Sequence, residues 1–184
     1  MVFEETGIAG LIHMIPVVHT DSRGTFLEFS KWRDLEAHGI RTPFVQDNMS
    51  TSSKGVVRGL HLQLPPHDQA KLVGVISGKV LDVVVDVRKG SSTFGKVFTC
   101  VLDSVRRNQL YVPPGFAHGF AALEETIFFY KCSNYYSPGH ETGIRWDDPE
   151  LAIDWMVSNP VISTKDQALP TLSDLLRNSV ISRD

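Results

Sequence analysis

Two short motifs carry most of the side chains in this 184-residue chain that could do acid–base chemistry. The first is Arg58-Gly59-Leu60-His61 and the second is Gly115-Phe116-Ala117-His118-Gly119-Phe120, with Lys71 between them. Imidazole accepts a proton near neutral pH, and arginine and lysine bind phosphate or stabilise an oxyanion. This set of residues therefore predicts proton chemistry on an anionic substrate.

His61 lies in the segment Val56–Gln63, which has the alternation of a β-strand. Strict alternation places His61 on one face and Arg58 on the other. The two side chains then point in opposite directions, unless Gly59 forms a bulge that re-aims the strand. A strand histidine is more often structural than catalytic, but the cations nearby favour a functional role. The sequence leaves both arrangements open.

A second alternating segment, Val80–Val87, places Asp82 and Asp86 on the same strand face. Carboxylates on a strand are expected to face solvent. If this face instead lines the interior of a barrel, Asp82 is well placed to orient a histidine such as His118. The default expectation is that Asp82 and Asp86 face solvent.

Three further residues have weaker local signals. Lys71 opens an apolar strand, which suits either an exposed edge lysine or an ammonium that stabilises an enolate oxygen. Tyr130 follows the apolar run Ile127–Phe129 and is either an ordinary strand residue or a general acid. Asp166, in the segment Ser163-Thr164-Lys165-Asp166, has no local pattern that indicates a catalytic role.

Composition excludes several classes of protein. The net charge of -3 gives no basic surface for nucleic acid. The acidic start Met1-Val2-Phe3-Glu4-Glu5 does not resemble a signal peptide, and no apolar run approaches the roughly 20 residues that span a bilayer. We therefore expect a cytoplasmic protein with no membrane or nucleic-acid partner.

The sequence also argues against a metal or a cofactor. The two cysteines, Cys100 and Cys132, form neither a disulfide framework nor a zinc cluster. A metal-binding barrel needs two histidines that flank one residue with a glutamate soon after, whereas this chain has His61-Leu62-Gln63 and no glutamate until Glu124. Glycine-rich dinucleotide and phosphate loops are also missing from the sequence.

The elements that must position these residues are mainly short strands separated by frequent turns. Many short strands with frequent turns predict a β-sandwich or barrel within a single domain of residues 1–184. Helices are expected near Lys31–His38 and Leu172–Arg177, with an irregular or helical tail from about residue 154. The expected strands are Thr25–Phe29, Phe44–Asn48, Val56–Gln63, Lys71–Ile76, Val80–Val87, Lys96–Leu102, Gln109–Val112, Gly119–Leu123 and Thr126–Tyr135, with a polar connection at Ser50–Lys54.

A series of motifs between Asp21 and Asp166 resembles, in order and spacing, the dTDP-4-dehydrorhamnose 3,5-epimerase family. The chain departs from the family at Met49, where histidine is frequent, and at Met156, where proline is frequent. The motifs are Asp21-Ser22-Arg23-Gly24, Phe44–Asn48, Gly55–His61, Gln69–Val73, Val83–Ser91, Gly115–Phe120, Tyr130-Lys131, Gly143–Pro149 and Lys165-Asp166.

The resemblance implies a cupin-like jelly-roll β-sandwich and a homodimer that exchanges N-terminal strands. It also implies an epimerase without metal or organic cofactor. Its substrate would be dTDP-4-dehydro-6-deoxy-D-glucose, which it would invert at C3 and C5 to give dTDP-4-dehydro-L-rhamnose. The alternatives are an epimerase acting at one carbon, a sugar-nucleotide ketoisomerase and a non-catalytic module that binds nucleotide sugars.

Site residues follow from the same resemblance, position by position. His61 matches the catalytic base, with Asp166 as its partner. Tyr130 matches the proton donor on the opposite ring face, and Lys71 the residue near the C4 oxygen. The remaining matches are active-site or substrate-binding positions: Arg23, Phe26, Glu28, Gln46, Asn48, Arg58, Asp82, His118 and Tyr136.

Overall fold

The computed structural model describes residues 1–178 and 180–181, which form mainly β-strands. Three short α-helices and one 3-10 helix (Pro138–His140) accompany the strands, and the α-helices are α1 (Trp32–Ala37), α2 (Thr164–Gln167) and α3 (Leu172–Arg177). The strands are β1 (Val2–Glu5), β2 (Ile12–Ile15), β3 (Val18–Asp21), β4 (Gly24–Leu27), β5 (Gln46–Ser52), β6 (Val56–Gln63), β7 (Lys71–Ser77), β8 (Lys79–Asp86), β9 (Val97–Asp103), β10 (Gln109–Val112), β11 (Phe116–Ala122), β12 (Thr126–Cys132), β13 (Glu141–Gly143) and β14 (Val161–Ile162).

Two sheets face each other and enclose the core. The first has the order β1-β2-β10-β7-β12-β5, and the second has the order β13-β6-β11-β8-β9, with β14 paired to β6. Neighbouring strands are antiparallel except β14, which runs parallel to β6. Apolar residues from both sheets, such as Val73, Val84 and Phe128, fill the space between them. This arrangement confirms the predicted jelly-roll β-sandwich.

Some element boundaries differ from the prediction. β6, β10 and α3 have the predicted bounds, whereas β5 begins at Gln46 and continues through Ser52, inside the predicted polar connection. β5 is an edge strand whose alternate residues are exposed, so polar side chains do not interrupt it. Similarly, β11 begins at Phe116 rather than at Gly119, because Phe116, Ala117 and His118 already pair with β8.

Gly59 decides how β6 presents its side chains. Between the pairs His118–His61 and Phe120–Arg58, β6 contains one residue more than β11, so the strand carries a bulge. Gly59 has φ +119°, and a Cβ atom there would lie 2.6 Å from the Cα of Gly119. Because of the bulge, Arg58 and His61 both line the space between the sheets, and the bulged arrangement is the one adopted.

The carboxylates of β8 correct one expectation from the sequence. Asp82 and Asp86 were expected to face solvent, but both side chains are fully buried. β8 lies between β11 and β9, and the other sheet covers its inner face. A buried carboxylate needs polar partners. Asp82 has such a partner in His118, the arrangement expected of a barrel interior.

Candidate active site

A cavity of about 590 Å³ opens between the two sheets. A smaller chamber of about 210 Å³ adjoins it and shares His61, Lys71 and Tyr130 in its wall. Gln46 and Asn48 line only this smaller chamber. The main cavity brings together seven of the residues predicted from the sequence: Arg58, His61, Lys71, His118, Tyr130, Tyr136 and Asp166.

His61 and Asp166 form a hydrogen-bonded pair although they are far apart in the sequence. The Nε2 of His61 lies 2.7 Å from Oδ1 of Asp166, and the amide of Gly59 donates to the other carboxylate oxygen at 3.2 Å. Burial would raise the pKa of Asp166, but the hydrogen bond and charge of His61 hold that pKa below its ordinary value. The carboxylate is therefore ionised at neutral pH and orients the imidazole.

The pair is assembled by β14 and α2. β14 pairs in parallel with the start of β6, and the chain then turns into α2, where Ser163 caps the amide of Asp166. Local sequence patterns gave no indication of this contact, because the two residues are 105 positions apart. The position of Asp166 was predicted from the resemblance alone.

Lys71 and Tyr130 lie on the opposite sheet from His61. They occupy adjacent strands, β7 and β12, with Lys71 paired to Cys132 and Tyr130 paired to Val73. Burial lowers the pKa of Lys71 and raises the pKa of Tyr130. Tyr130 is therefore a protonated phenol at neutral pH, which is the form that a proton donor requires.

His118 and Asp82 form a second imidazole–carboxylate pair. The Nε2 of His118 lies 2.9 Å from Oδ2 of Asp82, and both side chains are buried. Burial raises the pKa of Asp82, although His118 and Lys71 oppose this effect. His118 pairs with His61 across β11 and β6. The cavity wall therefore carries two neighbouring histidines, each with its own carboxylate.

Arg58 is fixed by the edge strand of the facing sheet. Its Nε donates to Oγ of Ser52 at 3.0 Å, and its Nη2 donates to the carbonyl of Thr51 at 3.1 Å. Sequence reasoning missed Ser52, because the polar residues after Ser50 were interpreted as a loop. It also missed Glu141 and Lys165, which line the cavity but lie in segments without clear alternation.

Three predicted binding residues lie outside both chambers. Arg23, Phe26 and Glu28 belong to the β3–β4 hairpin and the residue that follows it. The side chain of Arg23 is 86% exposed and pairs with Asp21, and that of Glu28 pairs with Lys31. Phe26 is 69% exposed. A single chain therefore does not bring this hairpin to the cavity.

Residues 1–178 and 180–181 contain no group of three or more His, Cys, Asp or Glu side chains that could hold a metal ion. None of the helices described there is long and apolar enough to cross a membrane. Cys100 and Cys132 are free thiols.

Comparison with known proteins identifies the family. A sequence profile described as dTDP-4-dehydrorhamnose 3,5-epimerase matches residues 5–174. The chain belongs to the dTDP-4-dehydrorhamnose 3,5-epimerase family. The epimerase of this name from Shigella flexneri is 48% identical over 164 residues, which cover 88% of this chain and 91% of the relative.

Solved structures of epimerases share the fold. A dTDP-6-deoxy-D-glucose-3,5-epimerase from Legionella pneumophila, in complex with dTDP-4-keto-L-rhamnose, is 41% identical with a TM-score of 0.93, covering 100% of this chain and 98% of that one. A 3'-monoepimerase from Streptomyces bikiniensis, in complex with dTDP-quinovose, is 34% identical with a TM-score of 0.89. The match covers 96% of this chain and 91% of that one. The predicted epimerase family and its cupin-like fold are thus confirmed.

Proposed function

We propose that this protein inverts C3 and C5 of dTDP-4-dehydro-6-deoxy-D-glucose to give dTDP-4-dehydro-L-rhamnose. One observation carries the proposal: His61 and Tyr130 face the same cavity from opposite sheets. A sugar ring held between the sheets would have a base on one face and an acid on the other. Inversion requires this arrangement, because the proton leaves one face of a carbon and returns to the other.

His61 acts as the base. A carbon-bound proton beside a ketone is acidic only because its loss produces an enolate. A carboxylate can only accept a hydrogen bond, so Nε2 of His61 carries the proton shared with Asp166, and Nδ1 is left to accept a proton from substrate. Asp166 holds this tautomer and stabilises the imidazolium that forms. His61 removes the C5 proton, releases it to solvent while Tyr130 regains a proton from solvent, and then removes the C3 proton.

Lys71 stabilises the enolate oxygen at C4, and His118, oriented by Asp82, supports it. Tyr130, which stands beside Lys71 on the facing sheet, returns a proton on the opposite ring face. A positioned acid or base typically contributes about 10²–10⁴-fold to the rate. Arg58 and the exposed ammonium of Lys165 supply positive charge for the diphosphate.

We also propose that the active unit is a homodimer. The exposed β3–β4 hairpin carries three residues that match substrate-binding positions but lie apart from the cavity of their own chain: Arg23, Phe26 and Glu28. If two copies exchange their N-terminal strands, the hairpin of each copy reaches the cavity of the other. The interface is then isologous, as is usual for twofold dimers.

The central test is the His61→Ala variant, assayed for deuterium exchange at C3 and C5 of the substrate in heavy water. We expect exchange at both carbons to be abolished, because the substitution removes the imidazole that Asp166 orients. Near wild-type exchange would remove His61 from the role of base. The matched Tyr130→Phe variant should still exchange C5 while forming little inverted sugar, and full double inversion by it would contradict the donor role.

Inversion at a single carbon is the second candidate function. The related 3'-monoepimerase has the same fold, so the fold does not determine how many carbons react. Proton NMR of the product distinguishes the two, because the ring coupling constants report the configuration at C3 and C5 separately. A non-catalytic binding module is disfavoured, because binding alone does not require a partly buried histidine paired with a buried carboxylate.

A further inference from the structure

Glu141 is a carboxylate in the wall of a cavity that is otherwise suited to an anionic substrate. It begins β13 and pairs with Gln63 of β6, two residues before Gly143, which pairs with His61. Its side chain is only 15% exposed and lines both the main cavity and the smaller chamber. A carboxylate at this position repels a diphosphate. Glu141 must therefore contribute to binding in another way that offsets this repulsion.

Two side chains of the cavity wall meet at one oxygen of Glu141. The hydroxyl of Tyr136 donates to Oε2 at 2.8 Å, and the ammonium of Lys165 donates to the same atom. Burial would raise the pKa of Glu141, but these hydrogen bonds, first from Lys165 and then from Tyr136, lower it. Glu141 is therefore ionised at neutral pH and accepts both bonds as an anion, which strengthens them.

Both of these partners reach the cavity from exposed positions. Tyr136 is 52% exposed, and the side chain of Lys165 is 60% exposed. Long exposed side chains lose conformational freedom when they engage a ligand, and this loss weakens binding. A carboxylate that already holds both of them reduces this loss before the ligand arrives.

We infer that Glu141 is a positioning residue, which holds the Tyr136 ring and the Lys165 ammonium in place for the nucleotide diphosphate part of the substrate. The inference rests on the proposed function, since it assumes a dTDP-linked ligand. Glu141 acts through its two neighbours and takes no part in moving protons at the sugar ring. Its effect therefore falls on binding rather than on turnover.

Two variants of nearly equal size separate hydrogen bonding from charge. Glu141→Gln keeps an acceptor oxygen for Tyr136 and Lys165 but removes the negative charge, and Glu141→Met removes both. Calorimetry with dTDP alone and steady-state kinetics with the sugar nucleotide should be compared in the two variants. We expect Glu141→Met to raise the Kd for dTDP and the KM about tenfold, with kcat within about threefold, and Glu141→Gln to recover most of the binding.

Several outcomes would overturn the inference. Tighter or unchanged dTDP binding by Glu141→Met would mean that repulsion of the diphosphate outweighs positioning. A fall in kcat at constant KM would place Glu141 in the chemical step. A lower melting temperature with unchanged Kd and KM would mean that the residue is only structural.

Tyr136→Phe gives an independent measurement if Glu141→Met does not fold. It removes the hydroxyl that donates a hydrogen bond to Glu141 and keeps the ring, so dTDP binding should weaken several-fold. Wild-type affinity for dTDP would contradict the inference. Failure of the proposed function is recognised separately, because the wild-type protein would then neither bind dTDP nor invert the sugar. If the wild-type protein does both and the Glu141→Met variant has the same Kd and KM, only the inference about Glu141 is rejected.

Discussion

At the scale of single residues, the pairing of His61 with Asp166 should control the rate of the reaction. Asp166→Asn keeps the shape of the side chain, but an amide cannot stabilise the imidazolium that forms when His61 takes a proton. We expect kcat to fall about 10²–10⁴-fold while the Kd for dTDP stays within a few-fold of wild type. Steady-state kinetics and calorimetry measure the two effects, and a loss below tenfold in kcat would show that the carboxylate is dispensable.

Residue types and spacing predicted part of this site. His61, His118 and Lys71 were recognised because they interrupt apolar strands, and the structure brings all three to one cavity. Asp166 had no such signal, since a parallel contact between β14 and β6 carries it to His61 from the far end of the chain. Glu141 was missed for a related reason: it begins a three-residue strand, which is too short for alternation. The catalytic roles themselves stay predictions.

At the scale of elements, the bulge in β6 should be indispensable. Gly59→Ala would place a Cβ atom 2.6 Å from the Cα of Gly119 and 2.8 Å from the carbonyl oxygen of His118, in a backbone conformation that alanine rarely adopts. We expect a loss of at least about 3 kcal/mol in the free energy of unfolding, and loss of activity as Arg58 and His61 separate. Urea unfolding measures the first effect.

Gly139→Ala is the matched control for this substitution. Nothing lies within 4 Å of a Cβ atom built at Gly139, and its backbone lies outside the left-handed region. It should therefore keep its stability within about 0.5 kcal/mol of wild type. If Gly59→Ala were equally stable, β6 would not depend on a glycine at its bulge. The sequence indicated that such a bulge was possible, but only the pairing with β11 shows that it forms.

A buried network at the end of β8 should make stability depend on pH. Asp86 accepts hydrogen bonds from the side chains of Arg88, Ser91 and Thr93, and Arg88 also donates to the carbonyl of Ala9. Although burial opposes the shift, these bonds lower the pKa of Asp86 from 3.8 to about 2. Because the pKa is lower in the folded state, the stabilisation is complete above pH 3.8 and is lost as the pH falls toward 2.

The expected loss is about 2 kcal/mol of unfolding free energy between pH 5 and pH 2. Urea unfolding at several pH values over this range measures it. Asp86→Asn should be less stable at pH 7, and its stability should fall less steeply than that of wild type toward pH 2. Parallel curves for the two proteins would show that Asp86 does not contribute to the acid sensitivity of the fold.

At the scale of the whole molecule, the proposed homodimer would complete the active site. The main cavity gathers the proposed acid, base and oxyanion-binding residues, yet the exposed β3–β4 hairpin leaves Arg23 and Phe26 in solvent. Phe26, which pairs with His19 in this hairpin, is 69% exposed. In the proposed homodimer, the second copy of the chain would account for both the exposure of the hairpin and its match to substrate-binding positions.

Mixed dimers test this explanation directly. One variant carries Arg23→Ala and Phe26→Ala in the hairpin, and the other carries His61→Ala in the cavity, so each should be inactive alone. When the two are co-expressed, about half of the dimers are mixed, and each mixed dimer has one intact cavity served by one intact hairpin. Activity should therefore return to about a quarter of wild type per subunit. If each hairpin serves the cavity of its own chain, every site in the mixture retains a defect, and no activity returns.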